Sequence, residues 1–170
     1  MKIKSFLVIV ALALFSYGAN AQKIAVIDIQ KVLDAMPDYR VANENLDKLS
    51  NKWRQDIAQE YDKIKGMYNK YQAEQVLLSE EAKKQREEEI VAKEKDVRDM
   101  QKAKFGPEGE LFKKRQELVK PIQDKVYAAI DRFANAKGYD FVFDKGSATG
   151  MIFANPAFEK TDDVIKEAGK

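Results

Sequence analysis

Few side chains in this sequence could carry out chemistry on a substrate. The chain has no histidine and no cysteine, which excludes catalytic triads, zinc sites built on those residues and thiol redox reactions. The carboxylates closest to the apolar ends of the chain are Asp28, Asp34, Asp140 and Asp144. No general base, nucleophile or phosphate-binding loop accompanies them. We therefore predict a protein that is not an enzyme and that uses no metal or cofactor.

The side chains that remain suit weak binding of apolar partners. Methionine adapts its shape to a partner, and tyrosine joins an apolar ring to a polar hydroxyl. We expect such binding by seven residues in the charged middle of the chain: Tyr61, Met67, Tyr68, Tyr71, Met100, Phe105 and Phe112. The three tyrosines lie on a regular apolar stripe, which favours burial between two helices instead. For Met67, Phe105 and Phe112, the pattern favours neither burial between the helices nor exposure to a partner.

The first 21 residues are typical of a cleavable export signal. Two lysines precede an unbroken apolar stretch at residues 6–15, and Ala19-Asn20-Ala21 supplies the small residues that signal peptidase requires. Ten apolar residues are too few to cross a bilayer, which takes about 20. We therefore predict a mature protein that begins at Gln22 and resides in the periplasm.

Removal of the signal changes the charge balance of the chain. The full sequence carries 30 basic and 28 acidic side chains. Lys2 and Lys4 leave with the signal, so the mature protein has equal numbers of both and is neutral. A protein that binds nucleic acid needs a net basic surface. Nucleic acid is therefore excluded as a partner.

The apolar beginning of the mature chain predicts one strand and one short helix. Residues 23–29 are compact and β-branched, as in a buried strand. A short helix over 30–35 should stop at Met36-Pro37, because the residue before proline avoids the α region. Asp38 is the predicted N-cap of the helix that follows.

The apolar end of the chain predicts two further strands and a helix. Residues 139–144 and 151–154 have the composition of strands, and the segment 145–150 between them contains two glycines and is a predicted turn. Thr161 is predicted to cap a terminal helix over 162–168.

The middle of the chain predicts two long helices. Apolar residues recur every three or four positions in residues 39–78, which predicts one amphipathic helix. A second helix is predicted over 79–137, with Ser79 as its N-cap and Gly138 at its end.

The connection between these helices is short, which predicts an antiparallel hairpin with its tip near 76–79. Facing positions then sum to about 156, because each residue advances both helices equally, and Trp53 should lie opposite Phe105. Gly106–Gly109 and Pro121 are predicted to kink the returning helix. The last turns, from Pro121 onward, should run into the apolar ends of the chain.

The apolar ends are too small to form a stable domain alone. Residues 22–38 and 138–170 would hold three strands and two short helices, with no disulfide or metal to reinforce them. We therefore predict an α+β fold in which several chains share one small β body and a long antiparallel helical hairpin projects from each chain. The apolar residues of that body would be Ile24, Val26, Ile29, Phe141, Phe143, Met151 and Phe153.

An ordered set of segments resembles a known family over the whole mature chain. KIAVIDIQKVL (23–33), the charged hairpin, YDFVFD (139–144) and MIFANPAFEKTDDVI (151–165) are similar to the Skp, or OmpH-like, periplasmic chaperones. The resemblance implies a homotrimer whose nine-stranded body takes three strands from each chain. It further implies that three hairpins enclose a cavity that holds unfolded outer-membrane β-barrel proteins without ATP and so assists outer-membrane protein assembly.

Two alternatives stay open from the sequence. Lys113, Lys114 and Arg115 form the densest basic run, and the resemblance implies that such a run could contact lipopolysaccharide or a membrane surface. The other interpretation of this run is a solvated helix face. For the whole protein, the alternative is a structural or tethering coiled coil of the cell envelope that binds no client.

Overall fold

The computed structural model describes residues 22–147 and 151–169. The predicted signal, residues 1–21, and residues 148–150 of the predicted turn lie outside this range. The elements in chain order are β1 (Ile24–Ile27), α1 (Ile29–Ala35), α2 (Pro37–Glu74), a 3-10 turn (Gln75–Leu77), α3 (Glu80–Phe105), α4 (Glu110–Lys137), β2 (Phe141–Asp144), a 3-10 turn (Pro156–Phe158) and α5 (Thr161–Ala168). None of these described helices is long and apolar enough to cross a membrane.

The chain divides into two compact units. Of the described residues, the body unit combines 22–32 with those from 128 onward, so it contains both strands. The arm unit consists of residues 33–127. Its helices are the antiparallel α2 and α3 and the first part of α4. The long helical hairpin predicted from the sequence is therefore confirmed, together with a small sheet.

The body unit is organised around β1. This strand pairs in parallel with β2, in a register that places Ile24 beside Phe141 and Ile27 beside Asp144. On its other side, the N–H of Lys160 donates to the carbonyl of Val26 at 2.8 Å, and Val26 forms a bridge with Glu159. β1 thus has hydrogen-bonding partners on both edges, which its backbone requires because its Ala-Val-Ile core is almost completely buried.

The third predicted strand, residues 151–154, is wrong for the single chain. Residues 151–155 have no regular secondary structure and pair with no strand in the described part of the chain. Ile152 is fully exposed and Phe153 is 80% exposed. A strand-like sequence forms a strand only where a neighbouring backbone accepts and donates its hydrogen bonds. The described part of this chain provides no such neighbour.

The predicted cap of the first long helix is also wrong. α2 begins at Pro37, with Met36 as an extended N-cap residue that makes no side-chain hydrogen bond. Proline suits the first helical position because its missing N–H needs no partner there and its φ is already helical. Asp38 lies in the first turn and faces Lys125 of α4 at 3.8 Å. The helix therefore starts one residue before its predicted cap.

The hairpin reverses at residues 75–79. After the 3-10 turn, the Ser79 hydroxyl accepts a hydrogen bond from the N–H of Ala82 at 3.3 Å, so the predicted cap is confirmed. Glu80 and Glu81 follow in the first turn of α3, where negative charge suits the helix dipole. Val76 and Leu77 are almost fully exposed at this tip.

The returning helix is interrupted, rather than only bent, at residues 106–109. α3 ends at Phe105 and α4 begins at Glu110. The backbone turns so tightly here that a Cβ on Gly106 would lie 2.5 Å from the Lys102 carbonyl oxygen. The helical run of α4 continues on both sides of Pro121. The helix ends at Lys137, next to Gly138, which confirms the predicted end. Gly138 has a φ of 65°, the left-handed conformation that glycine commonly adopts after a helix.

Candidate functional site

The interface between α2 and α3 is a thin apolar seam. Its centre consists of Ile57 and Ile64 of α2 and Ile90 and Val97 of α3, all almost completely buried. Four of the seven residues predicted to bind apolar partners pack against this seam: Met67, Tyr71, Met100 and Phe105. These four side chains are partly buried and add to the packing between α2 and α3.

A cluster around Trp53 joins three helices of the arm unit. The Trp53 and Phe105 rings meet edge to face, 6.1 Å apart at their centroids, which confirms the predicted register. The Lys104 Nζ lies 4.8 Å from the centre of the Trp53 ring and donates to both carboxylate oxygens of Glu110 at 2.7 Å. This lysine therefore joins the end of α3 to the start of α4 and to the face of a ring on α2.

The other three predicted residues point outward. Tyr61, Tyr68 and Phe112 are each more than two fifths exposed. The expectation that the stripe would bury Tyr61 and Tyr68 is wrong, whereas Tyr71 is in the seam as expected. Sequence reasoning also missed Val91, which is 56% exposed on α3. The pattern could not reveal it, because a lone valine in a charged helix has no periodic partner.

Two tyrosines are held by carboxylates of the facing helix. The Tyr68 hydroxyl donates to Glu94 at 3.1 Å, and the Tyr71 hydroxyl donates to Glu87. The pKa of each tyrosine is raised, first by its hydrogen bond to the carboxylate and further by the nearby negative charge and by burial. Both hydroxyls therefore stay protonated and act as donors that fix the orientation of their rings.

The basic run lies on an exposed surface of α4. Lys113, Lys114 and Arg115 are all exposed, and Lys114 pairs with Glu117 within the same helix at 2.6 Å. This is the arrangement of a solvated helix face. Contact with lipopolysaccharide or a membrane surface stays a prediction.

The residues predicted for the oligomer body are only partly covered by their own chain. Val26 is buried, whereas Ile24, Ile29 and Met151 are half-buried. Phe141 and Phe143 stack on each other with ring centroids 6.2 Å apart, yet both remain close to half exposed. Together with Phe153 they leave several large apolar groups in contact with water.

The acidic residues near the body unit have structural roles. Asp144 accepts hydrogen bonds from the N–H of Ile29 at 3.2 Å and from the Ser147 hydroxyl at 2.6 Å. Burial alone would raise the pKa of Asp144, but these hydrogen bonds and others from backbone N–H groups outweigh it and lower the pKa. Asp140 accepts from the N–H of Lys23 at 2.7 Å. These carboxylates tie strand ends together.

Thr161 also makes hydrogen bonds within the body unit and does not cap α5. Its hydroxyl accepts from the N–H of Asp28 at 2.9 Å and donates to Glu159. Lys160 is the N-cap residue of α5 and makes no side-chain cap, so the predicted cap is wrong. In residues 22–147 and 151–169, no group of three or more acidic side chains is arranged to hold a metal ion.

The sequence model of a protein family, outer membrane protein (OmpH-like), matches residues 23–167. The chain belongs to the OmpH-like family. The family resemblance found in the sequence is thereby confirmed over almost the whole described chain. A search of curated protein sequences finds no match.

A solved structure has the same OmpH-like fold. It is that of a protein from Caulobacter crescentus CB15 assigned as an OmpH-like outer membrane chaperone. The two structures align with a TM-score of 0.69, over 89% of this chain and 86% of the other. Their sequences are 13% identical, so the likeness concerns the fold.

Proposed function

We propose that this OmpH-like chain is a periplasmic holding chaperone that binds unfolded outer-membrane β-barrel proteins without ATP. The chains form a homotrimer, and the client lies in a cavity between their hairpins, where it cannot aggregate. The proposal rests on one observation: the apolar stripe of α2 is covered by α3 of the same chain. Ile57 and Ile64 are covered by Ile90 and Val97 of the same chain, so this stripe serves to stiffen one hairpin.

This use of the stripe argues against a tethering coiled coil. Association between hairpins of different chains would need a second continuous apolar stripe on each one. Much of the exposed surface of α3 instead carries ion pairs between residues three or four apart, such as Arg86 with Glu89 and Lys95 with Asp99. Hairpins with such surfaces remain separate and leave space between them.

Self-association is supported by the body unit. Two strands and short helices form a core that is too small for a secure fold by itself. Phe141, Phe143, Ile152 and Phe153 expose apolar surface, which a stable monomer would bury. The number of three chains rests on the family resemblance.

The proposed activity is tested by diluting a urea-unfolded outer-membrane β-barrel protein into buffer with the purified mature protein. We expect a molar excess of trimer to suppress light scattering by the client without ATP. A soluble α/β enzyme unfolded in the same way serves as the comparison client. Unchanged aggregation of the β-barrel protein would overturn the proposal.

The shared body predicts a specific sensitivity to Phe153→Ser. In a monomer this change would alter stability by no more than about 0.5 kcal/mol, because the side chain is exposed. If the side chain is covered by a second chain, the variant should dissociate and its unfolding temperature should fall. Phe112→Ser in the arm unit, also exposed, is the matched control. Sedimentation showing folded wild-type monomers at micromolar concentration would contradict the shared body.

A further inference from the structure

The two broad faces of the α2/α3 hairpin differ in chemistry. Tyr61 and Tyr68 lie seven residues apart on α2 and therefore on the same side of that helix. Tyr68 donates to Glu94 of α3, which places both on one face of the hairpin. Val91 is three residues before Glu94 and lies next to it on the helix surface. Tyr61, Tyr68 and Val91 thus share one face, here called the apolar face, with the ion pair of Glu94 and Arg98 at 3.7 Å beside them.

A lysine follows each of these three residues after one intervening position: Lys63, Lys70 and Lys93. Two residues correspond to about 200° of rotation around a helix, so each lysine points nearly opposite to its apolar neighbour. All three lysines are exposed. Their side of the hairpin is here called the lysine face.

Charge pairing shows that these lysines share one face. Lys63 donates to Glu60 at 2.5 Å, and the pKa of Glu60 is lowered first by this hydrogen bond and further by the charges of Lys63 and of Lys93 on α3. Lys93 in turn pairs with Asp96 at 3.7 Å. Near the tip, Lys70 of α2 and Arg86 of α3 line one shallow pocket. The lysine face therefore carries mainly charged, solvated side chains, with Met67 and Tyr71 beside Lys70 in the pocket near the tip.

We infer that the apolar face is where the hairpin contacts extended apolar segments of its unfolded client. This inference rests on the proposed function and adds which face of the hairpin touches the client. It also separates the exposed Tyr61 and Tyr68 from the seam residues Met67 and Tyr71, which hold the hairpin itself.

The size of the apolar face favours a client over a second copy of the chain. Its three side chains expose on the order of 250 Å², taking about 200 Å² for a whole aromatic side chain. A stable interface buries about 800 Å² on each partner. The two tyrosines stand about 10 Å apart along the helix, as separate apolar contacts between polar groups. Such spots suit weak binding of many different segments and easy release.

The chain contains no cysteine, so single cysteines can report on each face. Val91→Cys and Lys93→Cys are each labelled with a thiol-reactive benzophenone in the full mature protein. A cysteine-free, urea-unfolded outer-membrane β-barrel protein is added and the sample is irradiated. We expect at least threefold more crosslinked client from position 91 than from position 93. Equal yields, or a higher yield from position 93, would overturn the inference while leaving the chaperone function intact.

Two further outcomes are distinguishable in the same experiment. Crosslinks between chains from position 91 without client would show that a second copy covers this face, which also overturns the inference. Failure of the unmodified protein to suppress aggregation would overturn the proposed function and the inference with it.

A pair of double variants provides a functional test of the same inference. Tyr61→Gln/Tyr68→Gln should lower protection of the client at least threefold. Lys63→Gln/Lys70→Gln, changed at the matched positions of the lysine face, should protect as the unmodified protein does. Sedimentation of both variants establishes that the oligomer is intact. If both double variants lose protection equally, or if neither loses any, the apolar face is not the client-binding face.

Discussion

Replacement of Trp53 by alanine is expected to lower the free energy of unfolding of the arm unit by about 3–5 kcal/mol, the usual cost of truncating a buried tryptophan. The ring is 9% exposed and packs edge to face on Phe105. It also carries Lys104 over its face. The variant would therefore lose contacts to α3 and to the lysine that joins α3 with α4.

Urea unfolding followed by circular dichroism measures this loss. Phe112→Ala is the matched control, because that aromatic ring is on the same unit but close to half exposed. We expect the control to change stability by no more than about 0.5 kcal/mol. Similar losses for the two variants would mean that the Trp53 cluster is not a centre of stability for the arm.

Alanine substitution of three glycines in the arm unit is expected to lower the stability at two positions and raise it at the third. A Cβ on Gly106 would lie 2.5 Å from the Lys102 carbonyl oxygen, and one on Gly109 would lie 2.8 Å from that of Ala103. Backbone must shift to admit either, so Gly106→Ala and Gly109→Ala should each destabilise by about 1–3 kcal/mol. Gly66 is exposed inside α2, and a Cβ at this position would meet no atom within 4 Å. There alanine should stabilise by up to about 1 kcal/mol.

Thermal unfolding of the three variants tests this contrast. Gly66→Ala is the control for the general preference of helices for alanine. A rise in helix content and stability for Gly106→Ala would show that α3 and α4 can merge into one helix. The interruption would then be a weak preference of the sequence rather than a tightly built turn.

The register of the hairpin could be predicted because it follows from helix geometry and one short connection. Once the reversal is placed near residues 76–79, the pairing of Trp53 with Phe105 is fixed by counting residues. The helix at 29–35 and the ends at Ser79 and Gly138 are set by local chemistry, which a sequence shows directly.

The predictions that proved wrong concern residues whose structure depends on a second segment of the chain. Tyr61 and Tyr68 lie on the flank of the stripe of α2, and the orientation of α3 decides that Met67 packs against the seam while these rings stay exposed. Thr161 would be a good cap on local grounds, but the N–H of Asp28 occupies its hydroxyl. Residues 151–154 have strand composition, whereas a strand also requires a partner.

The parallel pairing of β1 with β2 has a consequence for the biogenesis of the protein. Lys23 and Asp140, which meet at the start of the two strands, are 117 positions apart. The hairpin forms from closer positions, so its contacts can be made before the two ends of the chain meet. β1 can pair only after β2, near the other end of the chain, has reached it. Until then its Ile-Ala-Val-Ile segment has no strand partner, and such a segment is prone to aggregate. A protein proposed to hold the unpaired strands of others thus carries one of its own until the two ends of its chain have met.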